Sequence, residues 1–593
     1  MQEELPADHT TQLTLEEQQC EDHFKATHSR DSTGRYIVRI PLKLSASVLG
    51  NSYNTAHHCL QRTLRRLNKD REYQSLYTKF MTEYEQLNHM VKVTSEPLGN
   101  VAPYYLPHHG VLKPDSTTTK LRVVFNGSSP TSSGYSVNDL MHTGANLLLD
   151  VSDVLMWIRG HRYIFATDIA KMYRQIKVHQ SDWDLQRILW IDEHHNETSY
   201  YLTTVTYETK AAPFLAVRTL IQLVEDEGHR FPLAVPPITH GRYVDDIFGG
   251  ADTVEQLTEI AHQLENLCHA GGFPLAKWHF NHQDLLNAIS LTDSISSSVS
   301  LDDCATKILG LRWLPQQDVF TFATSSTSHQ EQFTKRRVLS EVAQIFDPLG
   351  FVSPIIIRAK MLLQELWLHK INWDDALPSQ VGSRWLNIRK DLTNLARFSI
   401  PRWLNTSSDS SIALHGFSDA SQFAMAAVVY MVVLKPSTGA KTSLICSKTK
   451  VAPLKRLTIP RLELTAALLL AKLIKHVHAT LKMDIKTTYL WTDSQVTLTW
   501  IKTHSSQWKD YVRNRVSQIQ ELTTHAHWKF VPGTSNPADC ASRGLTTAQL
   551  EDHKLWWAGP CYNLKINGPL NQLALTNSVQ WNHAQESHFS QPT

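Results

Sequence analysis

Tyr243-Val244-Asp245-Asp246 places two adjacent aspartates inside a β-prone run, with Val244 before them and Ile247-Phe248 after. Neighbouring carboxylates repel each other, and desolvation penalises each ion, so the pair is costly within apolar surroundings. It makes sense at the tip of a hairpin where divalent cations neutralise it. A solvated turn is the alternative reading of any single Asp-Asp pair. A second acid, Asp168, ends the run Tyr163-Ile-Phe-Ala-Thr-Asp168 and belongs to a matching strand. Three carboxylates leaving two buried strands in this way form a two-metal site, the arrangement that in-line phosphoryl transfer requires.

The rest of the polymer fits an enzyme of several domains. Its 593 residues exceed what a single core supports, and 42% hydrophobic with 19% charged residues is ordinary globular composition. Lys and Arg number 58 against 56 Asp and Glu, so affinity for an anionic polymer must come from local basic patches. The seven cysteines are scattered, with no Cys-x-x-Cys pair, which points to reduced thiols in an intracellular, cytoplasmic protein and away from a zinc module. The N-terminus lacks an apolar signal core, and no run is expected to reach transmembrane length. His57-His58-Cys59 and His108-His109 lack metal-ligand spacing.

Along the chain, residues 1–30 are polar and Arg35–Leu42 reads as a short strand. Residues 55–92 have helical periodicity, with Arg62, Arg65 and Arg66 placed either to touch nucleic acid or to form a solvated face. From about 100 a hairpin follows whose returning strand, Lys120-Leu-Arg-Val-Val-Phe125, carries Lys120 and Arg122 on one face, available as a cationic clamp on a triphosphate. Helices are expected near 145–159, 212–226 and 252–270, with Gly271-Gly272 ending the last. Residues 290–300 read as a Ser-rich loop, 334–372 as a helical connecting segment and 405–411 as a linker. Tyr173 lies five residues beyond Asp168, where a ring under the sugar of an incoming nucleotide would reject a 2′-hydroxyl.

The strings Lys120-Leu-Arg-Val-Val-Phe-Asn126, Phe165-Ala-Thr-Asp168, Ala212-Pro213-Phe214, Tyr243-Val-Asp-Asp246, Gly272-Phe-Pro-Leu-Ala-Lys277-Trp278 and Leu309-Gly310-Leu311 occur in the order of reverse-transcriptase motifs. With Thr334-Lys-Arg-Arg-Val-Leu-Ser, Ile345-Phe-Asp-Pro-Leu-Gly350 and Thr33-Gly-Arg-Tyr-Ile-Val38, they resemble the pol polyprotein of BEL/Pao-type LTR retrotransposons over roughly residues 20–565. The resemblance implies a multidomain α+β and α/β chain. A right-hand polymerase (fingers, palm, thumb) would be followed by a connection and a ribonuclease H-like mixed-sheet domain. The expected division is an N-terminal segment 1–95, fingers and palm 96–290, thumb and connection 291–404, ribonuclease H-like domain 405–547 and a tail 548–593. Carried over, Asp168, Asp245 and Asp246 hold metals, Lys120 and Arg122 contact triphosphate, and Tyr173 is the sugar gate. Pro213 belongs to the nucleotide site, Lys277 sits near the leaving group and Gly310 lies in the primer-gripping hairpin. Two positions depart from the family pattern: glutamate stands at 208 where glycine is usual, and asparagine at 126 where aspartate is usual.

The last third offers four acids in separate elements. Asp419 sits in His415-Gly-Phe-Ser-Asp-Ala-Ser421, on a strand expected to continue into the apolar run Ala424–Leu434. Glu463 is expected in the first turn of a helix started by Pro460, and Asp493 ends Thr488-Tyr-Leu-Trp-Thr-Asp493. Asp539 lies in Asn536-Pro-Ala-Asp539. Their order resembles ribonuclease H, whose sheet gathers four such carboxylates around two metals. The loop Gly533-Thr-Ser-Asn536 lacks the histidine that retroviral relatives often carry there. Trp508, Lys509, Arg513 and Arg515 read either as hybrid contacts or as an amphipathic helix face.

The expected activities are RNA-directed DNA synthesis and cleavage of RNA in RNA–DNA hybrids, with two Mg²⁺ or Mn²⁺ ions per site. The implied partners are an RNA template, a DNA primer, the hybrid, dNTPs and other polyprotein products (protease, integrase and gag), and no membrane. Two other readings stand beside this one. A decayed or domesticated copy would bind nucleic acid with impaired turnover, an idea prompted by Glu208 and Asn126. An aspartic peptidase would need Asp-Thr-Gly or Asp-Ser-Gly, which Asp31-Ser-Thr-Gly34 only approaches.

Overall fold

The structure is a computed structural model that describes residues 13–94, 102–113, 120–282, 306–323, 333–436 and 439–560. Strand Tyr163–Ile169 lies inside a four-stranded antiparallel sheet in the order Arg242–Tyr243, Asp246–Ala251, Tyr163–Ile169, Leu275–Phe280. Ile164, Phe165, Ala166 and Thr167 are all buried, so side chains on both faces of this strand are covered. Helices Val151–Arg159 and Val254–Ala270 pack on the sheet. The first is capped by Asp150, which accepts from the Ser152 backbone N–H, so the helix expected from about 145 begins only at Val151.

Upstream, the apolar periodicity resolves into two helices, Tyr53–Leu67 and Arg71–Gln86, with Asp70 capping the second. Tyr73, Tyr77, Met81 and Tyr84 form the buried stripe of the second helix. The hairpin His108–Leu112 with Leu121–Phe125 packs beside them, and its burial alternates, leaving Arg122 exposed. The Ser-rich loop expected at 290–300 lies outside the described residues.

The second core is built on a five-stranded mixed sheet in the order Gly439–Val451, Ala424–Lys435, Ser411–Ala420, Ile485–Thr492, Ala526–Phe530. The first three strands are antiparallel and the last two add in parallel. The chain reverses at 421–423, so Asp419 and the apolar run Ala424–Leu434 lie on paired strands of a hairpin and not on one continuous strand. Helix Ile459–Leu481 packs on this sheet. By length and composition it could cross a membrane, which corrects the expectation that no run is long enough. Here Leu464, Ala467, Leu470, Ile474 and Val477 are buried within the core. Helix Ser353–Leu368 packs on strand Gly439–Val451, and Ser447 donates its backbone N–H to Leu349 at 2.8 Å.

Two buried arginines join the sheets. Arg159 donates to the carbonyls of Arg402 at 3.0 Å, Ile445 at 2.7 Å and Leu444 at 2.9 Å. Arg402 makes a two-pronged pair with Asp318 (2.6 and 2.7 Å) and donates to the carbonyls of His161 and Arg162. Leu404 and Thr406 also bond to Arg159 and Gly160, so the expected linker is tied to the end of helix Val151–Arg159. A free tether would leave these buried carbonyls without donors.

Candidate active sites

The first acidic group sits at one end of the antiparallel sheet. Asp246 pairs in register with Asp168, and Asp168 with Ala276 on the other side. Tyr243 and Asp246 close a hairpin through Val244 and Asp245, and Val244 takes φ +55°. A β-branched residue in the left-handed region is strained by about 1–3 kcal/mol, a cost that tends to collect at functional sites. The Asp245 carbonyl accepts from the Ile169 N–H at 2.8 Å, tying this turn to the Asp168 strand.

Burial pushes the Asp246 carboxyl up to about 7, and repulsion from Asp245 and Asp168 adds to it. Asp245 is also raised, by burial first and by Asp168. Lys277 lies at a bulge between Ala276 and His279, with φ +55°, and its Nζ is 2.5 Å from Asp168 Oδ2. Bulges re-aim side chains; this one turns the lysine expected near a leaving group onto the acid. The other oxygen, Asp168 Oδ1, is buried with no hydrogen-bond partner.

Around this end of the sheet lie the remaining expected substrate contacts. Arg122 Nη2 donates to Glu208 Oε1 at 3.0 Å and its guanidinium lies 5.2 Å from the Tyr207 ring centre. Thus the expected triphosphate clamp is occupied by a carboxylate from its own chain. Glu208 adopts φ +71°, a conformation suited to glycine. Tyr173 is half-buried; burial raises its hydroxyl pKa, as do the charges of Asp245 and Glu208, while Arg122 works against them. Pro213 is exposed in the first turn of helix Ala212–Glu227 and Lys120 is exposed before strand Leu121–Phe125. Gly310, at φ +92°, lies under the half-exposed Phe346 ring, which a Cβ there would strike. Asn126 closes a local turn by accepting from the Ser128 N–H at 3.0 Å.

The second group is tighter. Asp419, Glu463 and Asp493 offer carboxylate oxygens all within 4.8 Å of one another, the one such metal-ready group among the described residues. Asp168, Asp245 and Asp246 do not close to that spacing. Asp419 ends its strand region, Asp493 follows Thr492, and Glu463 is the fifth residue of helix Ile459–Leu481, just past the first turn in which it was expected. Burial pushes Glu463 up to about 9 and Asp419 to about 7, with repulsion from the other acids contributing. Asp493 is raised by burial despite hydrogen bonding from Asn536. Glu463 Oε1 accepts from the Ala420 N–H at 3.1 Å, while Oε2 is buried without a partner. Crowded acids with an orphaned oxygen suit a divalent cation. Asp539, the fourth expected acid, pairs with Arg543 on its own helix and stands outside the tight group.

Sequence reasoning missed three supporting residues. Ser542 donates to Asp419, Asn536 donates to the Ser418 carbonyl at 3.0 Å, and Arg543 holds Asp539. Asn536 lies in the same string as Asp539, and Ser542 and Arg543 follow it at helical spacing, which was the available signal. Lys509, Arg513 and Arg515 stay near helix Asp510–Leu522, where Arg513 pairs with Asp510 and Arg515 lies 3.6 Å from the Tyr511 ring centre. Trp508 donates to the Trp500 carbonyl at 3.3 Å. Asp31 accepts from the N–H groups of Thr33 and Arg35 and pairs with Lys177 at 2.7 Å. Burial works against it, but the Lys177 and Thr33 bonds hold its carboxyl well below the usual range. It is a carboxylate that closes a local turn.

Residues 334–494 match the family described as Pao retrotransposon-like RNaseH-like domain. No curated protein matches the chain. Among solved structures, the foamy viral protease-reverse transcriptase in complex with dsDNA is similar at 13% identity, covering 88% of this chain and 95% of that one, with a TM-score of 0.51. The foamy viral protease-reverse transcriptase dRH with ds DNA gives 15% identity, 76% and 67% coverage and a TM-score of 0.49. The complex with RNA/DNA hybrid gives 14%, 80%, 63% and 0.46. At such identity the likeness concerns the fold alone, and the first of these structures carries it. Residues 334–494 thus carry the match to the Pao retrotransposon-like RNaseH-like domain, within a chain whose fold is similar to that of the foamy viral protease-reverse transcriptase.

Proposed function

We propose that the chain is an RNA-directed DNA polymerase with associated ribonuclease H activity from a BEL/Pao-type LTR retrotransposon, with two separate phosphoryl-transfer sites. The observation carrying this reading is that two sheets of one chain each present buried acids of raised proton affinity. In this assignment residues 96–290 act as fingers and palm, 291–404 as thumb and connection, and 405–547 as the nuclease. Asp168, Asp245 and Asp246 would hold metal at the first site. Asp419, Glu463 and Asp493 would do so at the second, joined by Asp539 once it leaves Arg543. Bound Mg²⁺ or Mn²⁺ would neutralise developing charge and acidify the attacking hydroxyl or water.

The chain's own groups do the positioning. Lys120 and Arg122 grip the triphosphate, Tyr173 lies against the sugar and excludes a 2′-hydroxyl, and Pro213 borders the nucleotide. Lys277 turns from Asp168 toward the leaving group, and Gly310 allows the primer close to the backbone. The dsDNA in the similar foamy viral complex supports nucleic acid as a partner, and the proposed partners are an RNA template, a DNA primer, their hybrid and dNTPs. The proposed setting is cytoplasmic, in particles shared with other polyprotein products. An end-labelled DNA primer on an RNA template, with dNTPs and Mg²⁺ or Mn²⁺, tests the proposal: extension and RNA fragments are expected, and neither appearing refutes it. A second reading, an impaired copy that binds nucleic acid, is favoured by the Arg122–Glu208 pair.

A further inference from the structure

The string Thr33-Gly-Arg-Tyr-Ile-Val38 has no part in the two acidic sites, yet it lies against the turn that carries Tyr173. Tyr173 belongs to helix Met172–Gln175, a single turn that follows strand Tyr163–Ile169. One turn is too short to hold itself in water, so its place is set by whatever grips its ends. Downstream, strand Lys177–Val178 pairs in parallel with strand Tyr36–Val38, Lys177 beside Ile37 and Val178 beside Val38. Lys177 also forms an ion pair with Asp31 at 2.7 Å.

Arg35 reaches the turn itself. Its Nη2 donates to the Arg174 carbonyl at 2.8 Å and its Nε to the Gln175 carbonyl at 3.0 Å. The last carbonyls of a helix have no partner within it, so the guanidinium caps them, one prong to each. The stem of Arg35 passes over Gly272, at φ +74°, where a Cβ would strike Arg35 Cγ. The same loop holds the start of the turn, because the Pro274 carbonyl accepts from the Ala170 N–H at 2.9 Å. From the other side Glu83 pairs with Lys171 and, at 3.3 Å, with Arg174. Glu83 and Lys171 are each 39% exposed, so solvent weakens that outer clamp. Arg35 is half-buried and held at two atoms, which makes it the stiffer support. Moving the Arg174 and Gln175 carbonyls moves the Tyr173 backbone, and a ring that selects by steric contact depends closely on its depth.

We propose that Arg35 is a positioning residue that sets how far the Tyr173 ring stands into the sugar pocket, and so how strongly ribonucleotides are rejected. This rests on the polymerase reading and on Tyr173 as the sugar gate.

The test is single-nucleotide primer extension by the full chain with a dNTP and with the matching rNTP. Arg35→Met keeps the stem and removes both donors. The ratio of kcat/KM for dNTP over rNTP should then fall about tenfold or more, since a misplacement of about 1 Å costs up to about 100-fold. The fall should come mainly from a lower KM for the rNTP, and Arg35→Lys, which keeps a charged donor, should recover part of it. In a Tyr173→Ala background, where discrimination is already lost, Arg35→Met should change the ratio no further, a coupling that a general loss of stability would not produce. Arg39→Gln, which weakens the pair with Asp182 just past the same strand, should lower stability and leave the ratio unchanged. An unchanged ratio in Arg35→Met, or an equal fall in both backgrounds, would overturn the proposal. If Tyr173→Ala keeps the parent's ratio, the gate assignment fails and the proposal with it. A fluorotyrosine placed at 173 reads the ring without turnover: its fluorine NMR line should shift in Arg35→Met and stay in place in Arg39→Gln. If the parent extends no primer, the polymerase reading fails; a shifted line then still supports Arg35 as the support of Tyr173, and an unmoved line overturns that too.

Discussion

Replacing Glu208 by glycine separates two consequences of one residue. Its φ of +71° costs a side-chain-bearing residue about 1 kcal/mol, which glycine does not incur. Against this, glycine loses about 0.5–1 kcal/mol through the greater freedom of the unfolded chain. The Glu208–Arg122 pair is 45% exposed on each side, so its removal costs about 0–1 kcal/mol. These effects nearly cancel, and Glu208→Gly should keep its stability within about 1 kcal/mol of the parent. Glu208→Ala loses the same ion pair, keeps the strained φ and is spared the entropy cost of glycine, so it should lie only about 0–0.5 kcal/mol below Glu208→Gly. Freeing Arg122 from a competitor worth up to about 1 kcal/mol should lower the KM for dNTP by up to about fivefold, with kcat less affected. Denaturant titration and steady-state primer extension of the three proteins measure both effects. Equal KM values for parent and Glu208→Gly, or an alanine variant more stable than the glycine one by about 1 kcal/mol, would refute the reasoning.

Other consequences follow from burial. Asp419 and Asp246 at about 7 and Glu463 at about 9 lie above their unfolded values, so without metal their contribution to stability is full below about pH 4 and lost as pH rises through 7 to 9. In chelator the melting temperature should fall over that window. Mn²⁺ at about 100 times its Kd should restore about 2.7 kcal/mol, most at the alkaline end, and a flat profile would contradict this. Arg402→Gln strands Asp318 and several carbonyls at the joint between the sheets, and should cost about 3–5 kcal/mol. Arg336→Gln, which breaks an exposed pair with Asp374, should leave the denaturant midpoint close to the parent's, and denaturant midpoints compare the two.

Much of this was legible before the fold was known. Buried strands ending in acids are written in Tyr163–Asp168 and Thr488–Asp493, because apolar runs and terminal charges report burial directly. The helical segments 252–270 and, as far as Gln86, 55–92 were visible through periodicity, whereas Met90–Lys92 is a strand. What could not be read depended on partners distant in the chain. The hairpin reversal at 421–423 lacks a glycine or proline signal. Asn-Thr-Ser-Ser-Asp-Ser-Ser reads as a tether until the buried carbonyls and donors around Gly160 are seen. Lys277 and Glu208 looked like substrate-facing groups or intruders, but their actual partners, Asp168 and Arg122, are set by a bulge and a left-handed residue. Asp539 looked like a fourth ligand, and Arg543, one helical turn later, draws it away.

The independence of the two sites is tested most directly by one paired measurement: Asp168→Asn and Asp493→Asn assayed side by side for primer extension and for RNA fragments from the same hybrid. The first should lose DNA synthesis and keep RNA cleavage, and the second should do the reverse. Loss of both activities in either variant, or of neither in both, would contradict it.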